Sequence, residues 1–262
     1  MEKNKILICA PIGDSKEYSI NEWLQWIADQ PYKNYDVAMC VNGKSEESIN
    51  KKCDMLKEVL INDRPITILK IPYDQYHTTK HRLAYAREKL RVYALENGYD
   101  YLLWLDTDTI PLIMDAIQLL LDQHKDVISG LYFYKGTKQS VIIDEKTLTN
   151  IQFDRLKELV ASGEAIKVWG FGFGILLMNR SALEKFSFDY KYRYEDWSED
   201  FIACELLEKA NVDRWFLARV ICKHYHSKDF TIVGEGISSQ QEPNNEGSVR
   251  EDQHISASKD RA

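Results

Sequence analysis

Two aspartates, Asp106 and Asp108, stand two residues apart at the exit of the apolar run Tyr101-Leu102-Leu103-Trp104-Leu105. Burying a carboxylate without a partner is expensive, so a pair placed there needs a counter-charge. At i and i+2 both side chains can leave on the same side and share one cation, directly or through water. They could equally cap a helix beginning near Pro111. Further on, Ser198-Glu199-Asp200 opens an amphipathic segment. Ser198 suits a helix N-cap and the two acids suit the helix dipole. They become chemically useful only where that turn faces the same crevice as Asp108. His224 and His226 follow the apolar Val220-Ile221-Cys222. In a strand they point to one face, where imidazoles suit a transition metal or simply form polar surface.

Arg87 lies inside the apolar stripe Leu83, Ala86, Leu90 and Ala94 of a predicted helix. An inward arginine either meets an anion or packs its stem and snorkels its head. The segment Trp169-Gly170-Phe171-Gly172-Phe173-Gly174 alternates glycines with aromatics. Its spacing is not a dinucleotide-binding fingerprint, and no helix opens from it. It reads as a close-approach loop whose rings stack on a flat substrate or sugar face, or as a bulged strand with core aromatics.

The elements that must position these residues follow from hydrophobic pattern. Continuous apolar runs at Lys5–Ala10, Tyr35–Val41, Ile66–Ile71 and Asp100–Leu105 read as strands buried on both faces. Helical patterns separate them at Glu17–Gln30, Ser45–Leu60, Thr78–Glu96 and Leu112–Gln123. That alternation predicts an α/β, three-layer architecture with a mostly parallel sheet, whose ligands bind beyond the carboxyl ends of the strands. After Val127 the rhythm changes to strands at Val127–Tyr134, Val141–Ile143, the glycine-broken Ala165–Asn179 and Trp215–Tyr225. Helices are expected there at Phe153–Ala161 and Ser198–Ala210. From Gly234 the chain turns to Gly, Ser, Gln, Asn and charge, which predicts a disordered tail over 234–262 able to order over the ligand site.

Bulk composition narrows the function. With 34 Lys+Arg against 41 Asp+Glu the net charge is −7, which argues against a general nucleic-acid surface but leaves room for a local basic pocket. Apolar residues make up 44%, enough for a sizeable core in one domain of 262 residues, and no run reaches membrane-spanning length. The first apolar segment is too short for a signal peptide. Five cysteines without a CxxC pair, four of them (Cys9, Cys40, Cys204, Cys222) in apolar stretches, read as reduced core residues. The expectation is a soluble cytoplasmic protein, with peripheral membrane association left open.

Taken in order, these residues resemble a family-2-like glycosyltransferase of the GT-A fold. The resemblance rests on Tyr99 to Asp108, Ser129-Gly130-Leu131-Tyr132-Phe133, Gly172 to Leu177, Ser198-Glu199-Asp200-Phe201 and Cys222-Lys223-His224, and it spans Lys5 to His226. It implies a single GT-A domain over 1–233, with a nucleotide-binding half (1–110) and an acceptor half (111–233) carrying a smaller subsheet. It further implies a hexosyltransferase-like enzyme moving sugar from a nucleoside-diphosphate-sugar donor to a glycan, lipid-linked or protein acceptor. Asp108 would ligate Mn²⁺ or Mg²⁺, with Asp106 on ribose or metal-bound water and His224, or His226 in its place, completing the metal site. Asp200, beside Glu199, would be the base of an inverting mechanism, while retention stays open. Pro11 and Asn42 would border the nucleobase, and Arg87, Trp169 and Gly170 would lie near the donor. Asn42-Gly43 stands where many members carry an acidic residue, which leaves the base undetermined. Two rivals are a non-catalytic nucleotide-sugar or glycan-binding module on the same fold and a haloacid-dehalogenase-like phosphotransferase. In the latter the first aspartate is a nucleophile.

Overall fold

Residues 4–73, 78–134, 137, 139–188, 198–227 and 230–232 are described by a computed structural model of the chain. Every residue of Ile6–Ile12 (β1) is buried, and successive strand side chains point to opposite faces, so the sheet is covered on both sides here. A short 3₁₀ segment, Asp14–Ser19, leads into helix α1 (Ile20–Ala28). Strand β2 (Tyr35–Val41) is followed by α2 (Glu46–Lys57), which Ser45 caps through its hydroxyl oxygen, accepting from the Ser48 N–H at 3.1 Å. A small hairpin, β3 (Leu60–Ile61) and β4 (Arg64–Pro65), precedes β5 (Thr67–Lys70). Helix α3 (Thr79–Glu96) begins at Thr78, whose hydroxyl oxygen accepts from the His81 N–H at 3.2 Å. Next come β6 (Tyr101–Leu105), β7 (Thr109–Pro111), α4 (Ala116–Leu121), β8 (Val127–Leu131) and β9 (Ile143–Asp144). The remainder comprises α5 (Phe153–Ser162), β10 (Ala165–Gly170), β11 (Ile175–Asn179), α6 (Arg180–Leu183), α7 (Glu199–Lys209), β12 (Arg214–Ser227) and β13 (Phe230–Ile232).

The main sheet runs β5-β2-β1-β6-β11-β8-β12-β10-β9. Strands β5, β2, β1 and β6 are parallel, as predicted from their apolar runs. From β11 the sheet becomes mixed: β11 is antiparallel to both β6 and β8, while β8 and β12 are parallel. Strand β12 is long enough to serve two partners in succession. Its first half pairs with β8 and β10, its register to β8 shifts between Phe216 and Ile221, and its second half pairs with β7 and β13. A β-bulge of this kind bends a strand and redirects its side chains. All five cysteines are buried and free of disulfides.

Three expectations need correcting. The helix expected from Leu112 begins only at Ala116, because Thr109–Pro111 is a strand held by β12 and the Leu112 N–H donates to the Ile221 carbonyl at 2.9 Å. Asp106 and Asp108 therefore cap no helix at Pro111. The helix expected over Glu17–Gln30 is split into the 3₁₀ segment and α1. The strand expected over Val127–Tyr134 ends at Leu131. The segment 234–262 lies outside the described residues.

Parallel β1, β2 and β6 end at the same edge, so Gly13 to Lys16, Asn42-Gly43 and Asp106 to Asp108 emerge together there. In the mixed half of the sheet, β8 approaches β11 and β12 closely at Gly130. A Cβ on Gly130 would lie 2.7 Å from the Val220 carbonyl oxygen and 2.9 Å from side chains of Ile175 and Val220. Gly130→Ala is expected to cost ~1–3 kcal/mol through overpacking. Denaturant unfolding checks it, and unchanged stability would contradict the close approach.

Candidate active site

Asp106 continues β6 past its last ladder pair, and its N–H donates to the Gly174 carbonyl at 3.0 Å. The Thr109 N–H returns to the Asp106 carbonyl at 2.9 Å, closing a tight turn around Thr107 and Asp108. Strand β12 then holds the turn from outside, with the Tyr225 N–H donating to the Asp108 carbonyl at 2.8 Å. This turn leaves Asp108 fully buried and Asp106 slightly exposed.

Arg87 reaches the turn from α3. Its Nη2 donates to both Asp106 oxygens at 3.0 and 3.3 Å, and its Nε donates to Glu199 Oε1 at 3.2 Å. The guanidinium is 4.9 Å from the Phe173 ring centre and 5.7 Å from that of Trp104. The anions met by this inward arginine are thus the protein's own carboxylates. With only 2% of Arg87 exposed, little of it is left to touch a ligand.

Lys16, which sequence reasoning missed, brings a second cation from the 3₁₀ segment. Its Nζ is 2.9 Å from Asp108 Oδ1 and 3.6 Å from Asp106 Oδ2. Burial works against its charge, but the two aspartates outweigh that and hold its pKa above the ordinary lysine range. Its only sequence signal is its place just after an apolar strand, where a lysine ordinarily reads as solvated loop.

His224 faces Thr109 in the β12–β7 register. Its Nδ1 lies 2.7 Å from the Phe133 carbonyl oxygen, which can only accept, so Nδ1 carries the proton. Nε2, on the other side of the ring, lies 3.7 Å from Asp108 Oδ2. His226 belongs to β12, but its side chain lies outside the described residues.

Glu199 and Asp200 open α7 and behave differently. Glu199 is buried against Arg87; burial first, then the neighbouring Asp200 charge, push its carboxyl up to about 7 against the pull of Arg87. Asp200 is part-exposed. Its Oδ1 accepts from the Ser198 hydroxyl and from the Phe201 N–H, and its Oδ2 faces Gly172.

The glycine-aromatic segment has a steric reason. The Tyr132 hydroxyl oxygen accepts from the Gly174 N–H at 3.0 Å, so its ring lies across Gly172 and Gly174. A Cβ at Gly172 would fall 1.9 Å from that oxygen, and one at Gly174 2.6 Å from Cζ. Tyr132 also meets His224 edge-on at 5.3 Å, linking the histidine to the Asp200 side. Phe171 and Phe173 are core aromatics, not stacking platforms, and Phe173 packs against Trp104 at 5.5 Å. Trp169 lies 4.8 Å from the Phe201 ring, and Gly170 faces Cys204, so both flank α7 rather than the Asp106–Asp108 turn.

Pro11 and Asn42 border a cavity of about 240 Å³ at the ends of β1 and β2, together with Gly13, Asp14, Lys16 and the start of α3. Asp14 is fixed beside it. Burial would raise its pKa, but hydrogen bonds from Lys52, Ser48 and the Lys44 N–H overcome that and hold it at about 2.

Among the described residues, no three His, Cys, Asp or Glu side chains close into a preformed metal cage. Asp108 and His224 nonetheless present oxygen and nitrogen close enough to share one ion, and Asp106 is joined to them through Lys16. That donor set fits a divalent ion that draws part of its shell from water or phosphate. The imidazole suits Mn²⁺ better than Mg²⁺.

No family model and no curated protein matches the chain. Among solved structures, the A197 protein from STIV aligns with a TM-score of 0.53 at 17% identity, over 88% of this chain and 91% of that one. The mannosyltransferase PcManGT from Pyrobaculum calidifontis, in complex with GDP-Man and Mn²⁺, aligns with a TM-score of 0.50 at 14% identity. That match covers 84% of this chain and 56% of the mannosyltransferase, so the chain spans little more than half the enzyme's length. At these identities the likeness concerns fold alone: an α/β fold with a large mixed sheet.

The Glu199 carboxyl yields a pH prediction. A folded pKa raised from 4.5 to about 7 means that the folded state binds the proton more tightly. Its contribution is fully present below the unfolded pKa and is lost as pH rises through 7. Wild-type stability should therefore fall between pH 4.5 and 7 by on the order of 1–3 kcal/mol from this group, and Glu199→Gln should flatten that slope. Melting curves across the window check it; equal slopes would remove the assignment.

Proposed function

We propose that the chain is a metal-dependent, inverting glycosyltransferase of family-2-like GT-A type. It would move a sugar from a nucleoside-diphosphate-sugar donor to a hydroxyl of a glycan, lipid-linked or protein acceptor. The observation that carries this reading is the Arg87 fork, which joins Asp106 to Glu199 and so brings the start of α7 to the crevice of the Asp106–Asp108 turn. The functional reading of Glu199-Asp200 required that shared crevice. The cavity at the ends of β1 and β2 supplies room for a nucleoside beside Pro11 and Asn42. GDP-mannose is the first donor to try, because a protein of similar fold binds it.

In this reading Asp108 and His224 would hold a divalent ion, with Asp106 alongside, and the ion would supply Lewis-acid neutralisation of the leaving diphosphate. Asp200 accepts the proton of the acceptor hydroxyl as its oxygen attacks the anomeric carbon. The bond from that carbon to the diphosphate oxygen breaks, and its electron pair leaves with the nucleoside diphosphate. Glu199 and Arg87 do not touch the reacting atoms; they fix Asp106 and orient α7. The clamp on Asp106 argues against its acting as the nucleophile of a haloacid-dehalogenase-type phosphotransfer. No helix among the described residues is long and apolar enough to cross a membrane. A single catalytic domain over 1–233, in the cytoplasm, belongs to the same proposal.

A donor panel tests the reaction: nucleoside-diphosphate release must appear with Mn²⁺ or Mg²⁺ and vanish in excess chelator. Asp200→Asn separates base from helix cap. It should fold and bind GDP with Mn²⁺ as wild type does, yet transfer about 10²–10⁴-fold more slowly. Near-wild-type transfer would eliminate Asp200 as the base.

A further inference from the structure

Lys16 occupies a position that the reading above does not use. Its ammonium lies 2.9 Å from Asp108 and 3.6 Å from Asp106, between the carboxylates assigned to the divalent ion. A cation entering there meets a full positive charge within bonding distance of its ligands, so the two cannot share the site. Without any cation, Asp108 would bury a carboxylate at large desolvation cost. The lysine side chain is 29% exposed and springs from the 3₁₀ segment, where Lys16 itself departs from helical backbone angles. Lys16 also borders the 240 Å³ cavity at the ends of β1 and β2. One flexible side chain thus touches both the carboxylate pair and the space where a nucleotide would lie.

We propose that Lys16 is a tethered counter-ion that holds the Asp106–Asp108 pair until a divalent cation replaces it, and that its displaced ammonium then binds the donor diphosphate. This rests on the nucleotide-sugar reading for its second half only. Metal entry and the lysine swing are one event, and the lysine stays protonated throughout. The exchange makes metal alone bind weakly, because the incoming ion must expel a resident cation. Metal with nucleoside diphosphate binds well, because the expelled ammonium gains a new partner. The protein therefore takes up metal chiefly together with donor.

The test is Mn²⁺ binding to the full chain, read by the electron paramagnetic resonance of free Mn²⁺, with and without GDP. Without nucleotide, Lys16→Met should bind Mn²⁺ at least about ten-fold more tightly than wild type, since a full charge within 4 Å is gone. With GDP present the order should reverse, because the variant lacks the ammonium that meets the diphosphate. Lys16→Gln keeps a hydrogen-bond donor toward Asp108 and should behave likewise, which guards against a folding defect of the methionine variant. Chelator should lower the melting temperature of both variants more than that of wild type, with Mn²⁺ restoring it. Equal Mn²⁺ affinity in wild type and both variants overturns the exchange. So does Mn²⁺ binding to none of them, or metal-free sugar transfer that is lost in Lys16→Met, which would make the lysine a permanent substitute for metal. Tighter Mn²⁺ binding in the variants without turnover of any donor upholds the displacement while sinking the glycosyltransfer reading.

Discussion

The guanidinium of Arg87 is the constraint on which the carboxyl edge depends. It is buried beside the rings of Phe173 and Trp104 and shared by Asp106, just after β6, and Glu199 from α7, which are far apart in sequence. Its planar fork presents Nη2 to one carboxylate and Nε to the other in a fixed geometry, which a lysine ammonium in the same place would not reproduce. Removing one member of such a buried group strands the others, which is why breaking it costs far more than the group adds when intact. The two halves of the sheet are thereby locked at the place where the proposed chemistry happens.

Charge around this lock is deliberately uneven. Arg87 and Lys16 supply two positive groups against Asp106, Asp108 and Glu199. Burial and the nearby Asp200 charge pull the Glu199 carboxyl toward its protonated form against the attraction of Arg87.

Legibility in the sequence followed locality. The strand expected over Tyr35–Val41 matches to the residue, and helix α3 begins where Thr78 offers a cap, because apolar runs and caps are properties of neighbouring residues. Asp106, Asp108, Arg87, Glu199 and Asp200 were visible because each breaks a local pattern: charge at the end of an apolar run, inside an apolar stripe, or at a helix start. Lys16 and Tyr132 break none. A lysine in a loop and a tyrosine after a strand are unremarkable until a fold brings them to Asp108 and to Gly172. Strand β7 escaped for a related reason: three residues have no period of their own, and only pairing with β12 makes them a strand. The direction of Arg87 was also hidden, since the sequence shows that it needs an anion but not that the anion is internal.

The length of β12 has a consequence for how the protein comes into being. The parallel strands β5, β2, β1 and β6 all lie in the first part of the chain, yet the turn after β6 must wait for β12. Pairings across more than a hundred residues are slow, because the chain entropy of closing the loop is lost before any contact repays it. On the ribosome, the Asp106–Asp108 turn emerges long before the strand that clamps it. A nascent chain would carry its carboxylates in water, outside any formed pocket, until nearly all described residues have been synthesised. The turn is enclosed only once β12 has paired with β7.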